Sequence, residues 1–354
     1  MANLIAAAIT SFLICFLIIP VIIKYSLEKN LVDIPGRRKI HKKITPSMGG
    51  IAIFLGFFVA SMVWVDIAHW KELRFILMAL FIVFFIGVRD DLVPLRPFMK
   101  IIGQVMAAIL LMMLFDLRLK SFYGLLGIYE IPIAISYCIT VFTIIVVTNS
   151  FNLIDGLDGL AGTIASIALL AFGVFFFLAG DTIFSILSFC MLGAVGAFLF
   201  FNWEPSEIFM GDTGALVIGL MLAILAIHFI DFQFNLPVDH PHRFKAGISG
   251  AVCFIIIPLA DTLRIFILRL TKKQSPFTPD KNHVHHGIMR LGFSHSKTTL
   301  LLAFIQLVFI AIAFFGRAFN DNYVLLAILI LGTTLSVILD RTIQNRVTKE
   351  NDAA

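Results

Sequence analysis

The chain has 354 residues, of which 60% are hydrophobic and 14% are charged, and its mean hydropathy is +0.99. Because soluble domains contain about 25% charged residues, this composition excludes a water-soluble globular enzyme. At about 20 residues per membrane-spanning helix, the apolar sequence suffices for roughly ten or eleven such helices. The net charge of +5 does not indicate nucleic-acid binding, since the basic residues are spread between apolar runs and fit membrane topology better.

The apolar runs predict an all-α polytopic membrane protein with about eleven transmembrane helices. The predicted spans are 3–23, 49–67, 73–88, 100–115, 131–148, 159–179, 182–201, 213–231, 247–269, 298–316 and 323–339. They form a single integral membrane domain over 1–340, followed by a cytoplasmic C-terminal tail over 341–354. The four cysteines lie inside apolar runs and predict neither a disulfide framework nor a zinc site.

The distribution of Lys and Arg orients the chain with its N-terminus outside and its C-terminus in the cytoplasm. In this orientation 20 of the 27 basic residues lie on the cytoplasmic side, as the positive-inside rule requires. Nearly every unusual polar string then falls on that same face, so segments far apart in sequence are predicted to meet at the cytoplasmic end of the bundle. These strings are DIPGRRKIHKKITPSMGG, RDDLVPLRPFMK, NSFNLIDGLDG, FNWEPSEIFMGDTG and SPFTPDKNHVHHG.

Two adjacent acids, Asp90 and Asp91, lie where the third predicted span meets the cytoplasm. Neighbouring carboxylates repel each other, and limited hydration at the membrane surface adds a desolvation cost. The pair therefore indicates a bound cation or a proton-transfer role, with an ordinary solvated turn as the alternative. Lys100, nine residues further on, is either a phosphate partner or a lysine that extends to the membrane surface.

A second group of polar residues, Asn152, Asp155 and Asp158, recurs at three-residue spacing between glycines. If this stretch begins the sixth span, the three side chains line one stripe of a helix. The stretch contains no Lys or Arg, so a divalent metal is the favoured counter-charge, whereas helix capping would explain only one of the acids. Asp212, at the predicted start of the eighth span, is either a helix cap or a metal ligand. Hard oxygen ligands of this kind favour magnesium.

Three histidines, His283, His285 and His286, lie in the longest cytoplasmic loop among lysines and arginines. Their spacing could bind zinc, but no suitable fourth ligand is close in the sequence. A cationic loop of this composition suits phosphate better.

Three further features of the sequence are candidates for contacts within the site or with its substrates. The basic run 37–43, which includes Lys42, reflects either membrane topology with attraction to anionic lipids or a phosphate contact. Asp261 and Arg264 are one helical turn apart and are interpreted as a pair. Phe209, in a polar loop three residues before Asp212, is a candidate to stack on a base.

Taken together and in this order, the five strings resemble the polyprenyl-phosphate N-acetylhexosamine-1-phosphate transferases, bacterial membrane enzymes that start O-antigen, teichoic acid and related glycan assembly. The resemblance runs from about Asp33 to His286. HVHH preceded by SPFTPDKN is similar to the N-acetylhexosamine branch and differs from the branch that transfers phospho-MurNAc-pentapeptide. The resemblance implies eleven spans and a magnesium-dependent site on the cytoplasmic face of the bacterial inner membrane, with Mn²⁺ as an alternative metal.

The resemblance also implies roles for individual residues. It makes Asp212 and Asp155 metal ligands, and it puts Asp90 and Asp91 beside the attacking lipid phosphate. The implied catalytic residues are Asp90, Asp91, Asp155 and Asp158. The implied substrate-binding residues are Lys42, Lys100, Asn152, Asn202, Phe209, Arg264, His283, His285 and His286.

The implied reaction transfers N-acetylglucosamine 1-phosphate from UDP-N-acetylglucosamine to undecaprenyl phosphate and releases UMP. Another UDP-N-acetylhexosamine or phospho-MurNAc-pentapeptide as donor group is an alternative, and a membrane transporter is a more distant one. Direct attack by the lipid phosphate competes with a covalent intermediate on Asp90 or Asp91. The implied partners are the two substrates and membrane lipids, without nucleic acid, and the sequence leaves a homodimer open.

Overall fold

The fold is built almost entirely from helices. A computed structural model of the chain describes residues 1–29, 32–33, 45–271, 273 and 283–352. Two-residue strands β1 (Val32–Asp33) and β2 (Thr45–Pro46) pair antiparallel. The α-helices in these ranges are α1 (Ala2–Glu28), α2 (Gly49–Trp64), α3 (Trp70–Leu92), α4 (Pro97–Phe115), α5 (Ile133–Ile154), α6 (Leu160–Ala179), α7 (Thr182–Asn202), α8 (Gly211–Asn235), α9 (Gly247–Phe254), α10 (Ile256–Thr271), α11 (Val284–Arg290), α12 (His295–Gly316) and α13 (Asp321–Asp352).

This architecture confirms the predicted all-α polytopic membrane protein, and every predicted span overlaps a helix. The number of eleven spans is not confirmed. Within the described ranges, eight helices are long and apolar enough to cross a membrane. Two bent pairs, α2 with α3 and α9 with α10, bring the number to ten if each pair is one span. The 16 residues of α2 extend about 24 Å, less than the roughly 30 Å of a hydrocarbon core.

Helix α8 lies at the centre of the bundle and contacts α2, α3, α5, α6 and α9. Glycines allow its first turn to approach two neighbouring backbones. A Cβ atom on Gly50 of α2 would lie 2.0 Å from the backbone nitrogen of Gly214, and one on Gly87 of α3 would lie 2.4 Å from the Cα of Thr213. No side chain fits at these crossings, so the starts of α2 and α8 and the end of α3 are held in direct contact.

The ninth predicted span is broken between α9 and α10, which are bent by 87°. Pro258 has no N–H to donate to the carbonyl oxygen of Phe254, four residues earlier, so this group loses its helical partner. Gln306 of α12 replaces it by donating from its side-chain amide to Phe254 O, and its own oxygen accepts from Ile257 N at 3.3 Å. The break is therefore built into the fold.

The last helix continues beyond the predicted domain limit at residue 340. Its side chains Leu339 and Ile343 lie against Gly287 of α11, the short helix that carries two of the predicted histidines. Ile343, which belongs to the predicted C-terminal tail, thus contributes to packing near the histidine string.

The crossing of α2 and α8 gives a stability prediction. We expect Gly50→Ala to destabilise the protein by about 1–3 kcal/mol, because the added methyl group overlaps backbone atoms that cannot move independently. The measurement is the apparent melting temperature of the detergent-solubilised protein. Gly332→Ala in α13 is the matched control, since its new Cβ meets no atom within 4 Å. Equal melting temperatures for the two variants would contradict the proposed close contact.

Candidate active site

An ion-pair network around Lys100 joins the ends of four helices. The Lys100 ammonium, in the first turn of α4, lies 2.7 Å from Asp90 Oδ2 at the end of α3 and 3.0 Å from Asp212 Oδ1 at the start of α8. Asn152, in the last turn of α5, donates from Nδ2 to the same Asp212 oxygen at 2.9 Å. The structure thus brings together side chains from three of the predicted polar strings. The lysine is bound between carboxylates and does not simply extend into the lipid surface.

The two adjacent aspartates of α3 have different partners. Besides Lys100, Asp90 accepts from Leu95 N at 2.6 Å, which fixes the turn into α4. Asp91 accepts from the backbone of Asp212 at 2.8 Å and of Thr213 at 3.1 Å, and from the Thr213 hydroxyl at 2.5 Å. Asp212 is therefore not the cap of α8: Asp91 caps this helix, and the Asp212 carboxylate is turned towards Lys100. Thr213 is not among the residues predicted from the sequence.

The predicted helical stripe of Asn152, Asp155 and Asp158 is wrong. Helix α5 ends at Ile154 and α6 begins at Leu160, so Asp155 and Asp158 lie in the turn between the two helices. Glycines at 156 and 159 favour a turn over a continuous helix. All three residues nevertheless remain at the same end of the bundle, because the turn follows directly after Asn152.

Asp155 lies in an unusually acidic environment. Burial raises the pKa of its carboxyl group to about 7, and the neighbouring carboxylates of Asp212, Asp91 and Asp158 act in the same direction. Among the described residues, no Lys, Arg or His lies within ion-pair distance of Asp155. In the same ranges, no three His, Cys, Asp or Glu side chains are arranged to hold a metal ion by themselves.

Asp158 is buried and connects its turn to α12. Its Oδ2 lies 3.4 Å from His295 Nδ1 and accepts from Ser206 N at 3.4 Å. His295, the first residue of α12, was not identified by the sequence analysis. The string FSHSK contains Ser294, the N-cap of this helix. The histidine that follows this N-cap is the signal in the sequence that could have identified His295.

Asn202 and Phe209, two of the implied substrate-binding residues, lie on either side of the loop between α7 and α8. Asn202 is buried, and its amide accepts from Gly159 N at 3.0 Å and donates to Ile208 O at 2.8 Å. Phe209 is half-buried, and its backbone N–H donates to Pro46 O at 2.7 Å. Asn202 therefore holds two loops in place, and a direct contact of either residue with a nucleotide remains a prediction.

The interpretation that Asp261 pairs with Arg264 is corrected by the structure. Asp261 lies 2.9 Å from His283 Nδ1 and accepts from Val284 N at 2.8 Å, which attaches the histidine string to α10. Arg264 forms an ion pair with Asp340 of α13. One helical turn allows a pair, but both side chains point to partners on other elements.

His285 faces the acidic turn, and His286 lies beside it. His285 is 2% exposed, and a Cβ atom on Gly156 would lie 3.0 Å from its Nε2 atom. Its ring centroid is 4.3 Å from that of His286. Neither ring nitrogen of His285 has a hydrogen-bond partner among the described residues. Burial lowers the pKa of His285 to about 3, with a further contribution from His286, so its imidazole is neutral at pH 7. Lys42 and the rest of the basic run 37–43 lie outside the described residues.

A pH-dependent contact beside the site gives a second prediction. Glu204 Oε2 accepts from the Ser296 hydroxyl at 2.7 Å and from its N–H at 2.8 Å, and these bonds lower the pKa of Glu204 below its usual 4.5. The stabilisation is therefore present above pH 4.5 and is lost as the pH falls through the lowered value. We expect Glu204→Gln to lower the apparent melting temperature by about 1–2 °C at pH 7. The difference from the unsubstituted protein should disappear below the pKa of Glu204, and a constant difference would contradict the ionic contact.

Similarity to known proteins identifies the family of this chain. The profile of glycosyl transferase family 4 matches residues 73–230, which contain the Lys100 network. A probable undecaprenyl-phosphate N-acetylglucosaminyl 1-phosphate transferase of Bacillus subtilis (strain 168) is 31% identical over 317 residues, 87% of this chain and 84% of the relative. The undecaprenyl-phosphate alpha-N-acetylglucosaminyl 1-phosphate transferases of Yersinia pestis and Salmonella typhi are 29% and 28% identical, over 88% and 79% of this chain and 84% and 74% of the relatives.

The family predicted from the five motifs is thereby confirmed. With this identity extending over most of its length, the chain belongs to glycosyl transferase family 4, in the group of undecaprenyl-phosphate N-acetylglucosaminyl 1-phosphate transferases.

Proposed function

We propose that this protein transfers N-acetylglucosamine 1-phosphate from UDP-N-acetylglucosamine to undecaprenyl phosphate, with UMP as the second product. The observation that carries the proposal is the Lys100 network, in which four helix ends present a cation and three polar side chains at one end of the bundle. The names of the relatives state the same transfer for those proteins. The product would initiate a cell-surface glycan.

The reaction brings two phosphate-bearing substrates together, so charge neutralisation is the main catalytic requirement. A phosphate monoester has a second pKa of about 6, and the lipid phosphate is therefore mostly ionised at pH 7 without a strong base. Lys100 supplies one positive charge to the reacting phosphates. Asp90 orients this lysine through the 2.7 Å contact and is proposed to take a residual proton from the lipid phosphate.

The carboxylates fit a magnesium ion. Asp155 faces other acids without a described cation, and Asp212 lies at the same helix junction, so these two residues would hold the metal. Magnesium binds through few carboxylates and completes its shell with water and substrate phosphates, so two protein ligands would be sufficient. When bound, it would neutralise charge on the diphosphate. Mn²⁺ could replace it at oxygen ligands of this kind.

The histidine string and Arg264 are proposed to contact the sugar and the diphosphate. His283 is fixed by Asp261, and the neutral His285 faces the turn that contains Asp155. A neutral imidazole both donates and accepts hydrogen bonds, which suits hydroxyl and acetamido groups. Lys42 is proposed as an additional phosphate contact. We further propose that the site opens to the cytoplasm from the bacterial inner membrane, because UDP-sugars and the predicted basic loops lie on that side.

The central experiment supplies the detergent-solubilised protein with UDP-N-acetylglucosamine and measures UMP release. We expect release only when polyprenyl phosphate and Mg²⁺ are both present, and removal of the metal with EDTA should stop it. Competition with UDP-N-acetylgalactosamine and with UDP-MurNAc-pentapeptide then identifies the donor. UMP release without polyprenyl phosphate would contradict the proposed acceptor.

Asp212→Asn tests the role of the central carboxylate. The amide still bonds to Lys100 and Asn152 through its oxygen, so the fold should persist while turnover falls at least about 100-fold. UMP release and the apparent melting temperature are measured together. Asp116→Asn is the matched control, because Asp116 pairs with Arg118 in the loop that follows α4, at the other end of that helix from Lys100. More than about a tenth of the original activity in Asp212→Asn would exclude Asp212 as a metal ligand.

A further inference from the structure

Asp91 is directed at protein donors and not at the space around Lys100. Its three hydrogen bonds all come from the first turn of α8: two from the backbone of Asp212 and Thr213 and one from the Thr213 hydroxyl. A carboxylate offers about four lone-pair directions. Three of the four are therefore used by α8, whereas the adjacent Asp90 binds the lysine.

The surrounding backbone restricts access to the same carboxylate. Gly211 has a φ of 71°, and a Cβ atom there would lie 2.7 and 2.8 Å from the two oxygens of Asp91. Gly87, one turn before Asp91, packs against Thr213. A nucleophile or a general base needs a lone pair directed at its substrate. At Asp91, three of the four lone-pair directions point instead at donors of α8.

The start of α8 depends on Asp91 for an acceptor. The first N–H groups of a helix lack partners within that helix. Met210, the N-cap residue of α8, provides no side-chain hydrogen bond. Asp91 supplies the missing acceptor from α3, and Asp212 connects this cap to the site because its N–H binds Asp91 while its carboxylate binds Lys100.

We propose that Asp91 is a positioning residue which, together with Thr213, caps α8 from a neighbouring helix and thereby fixes the carboxylate of Asp212 for phosphosugar transfer. The proposal rests on the function proposed above. Under this proposal, Asp91 is no longer one of the two aspartates on which a covalent phosphosugar intermediate could form. The proposal also adds Thr213, whose hydroxyl lies 2.5 Å from Asp91, to the residues that determine the rate.

The test uses the full-length protein with Thr213→Val, Asp91→Asn, Asp91→Ala and the double variant Asp91→Asn/Thr213→Val. We expect Thr213→Val to lower kcat about five- to tenfold, because one charge-assisted hydrogen bond is lost while the backbone N–H remains. Asp91→Asn should lower kcat about 10- to 100-fold, and Asp91→Ala further, since only the amide retains an acceptor. The double variant should be no slower than Asp91→Asn alone, as expected for two residues in one contact.

Two measurements separate positioning from a general loss of folded protein. The Mg²⁺ concentration for half-maximal rate should rise several-fold in Thr213→Val, whereas loss of folded molecules would leave it unchanged. The apparent melting temperatures should show the same non-additivity as the rates. Thr333→Val in α13 is the control, because the Thr333 hydroxyl bonds only to carbonyl groups of its own helix.

The proposal is overturned if Thr213→Val has the original rate while Asp91→Asn and Asp91→Ala are equally inactive, as for a nucleophile. Additive losses in the double variant would overturn it as well. If the unsubstituted protein releases no UMP, the proposed function fails. The melting temperatures then decide on the cap alone, with non-additive changes supporting it and additive changes contradicting it.

Discussion

The contact between the Lys100 ammonium and the carboxylates of Asp90 and Asp212 is the interaction on which the site depends. Two carboxylates this close would repel each other at the end of a membrane helix bundle, where hydration is limited. One shared cation makes their approach favourable and at the same time determines the relative positions of α3, α4 and α8. Asn152 adds α5 through a neutral amide, which supplies a donor without a further charge. The same contacts therefore stabilise the bundle and assemble the end of it that is proposed to bind phosphate.

The glycine crossings make this electrostatic arrangement geometrically feasible. Because Gly50 and Gly87 lack side chains, α2 and α3 approach the first turn of α8 closely enough for Asp91 to reach its N–H groups. A methyl group at either crossing would separate the helices and lengthen these hydrogen bonds. The close packing of α2 and α3 against α8 thus helps to determine the orientation of the Asp212 carboxylate, because it lets Asp91 bind the first turn of α8.

Much of the fold and part of the site follow from the sequence, for identifiable physical reasons. Long apolar runs determine where helices form, and the positions of their ends placed Asp90, Asp155 and Asp212 at one end of the bundle. The sequence could not distinguish which partner each side chain selects: Asp261 was paired with Arg264 on helical spacing, whereas its partner is His283. Periodicity also failed at the turn after α5, because glycines interrupted the helix. Such choices depend on contacts between elements far apart in sequence, which a single sequence does not show.

The break between α9 and α10 determines the position of Asp261 and of the histidine string that Asp261 binds. An unbroken helix would carry the 16 residues of α10 about 24 Å further along the axis of α9. At Pro258 and the side chain of Gln306, the chain instead bends by 87°, and Asp261 lies in the helix that follows the bend. Pro258 and Gln306 thus fix the bend between α9 and α10. Because Asp261 of α10 binds His283, this bend determines where the histidine string meets the acidic turn.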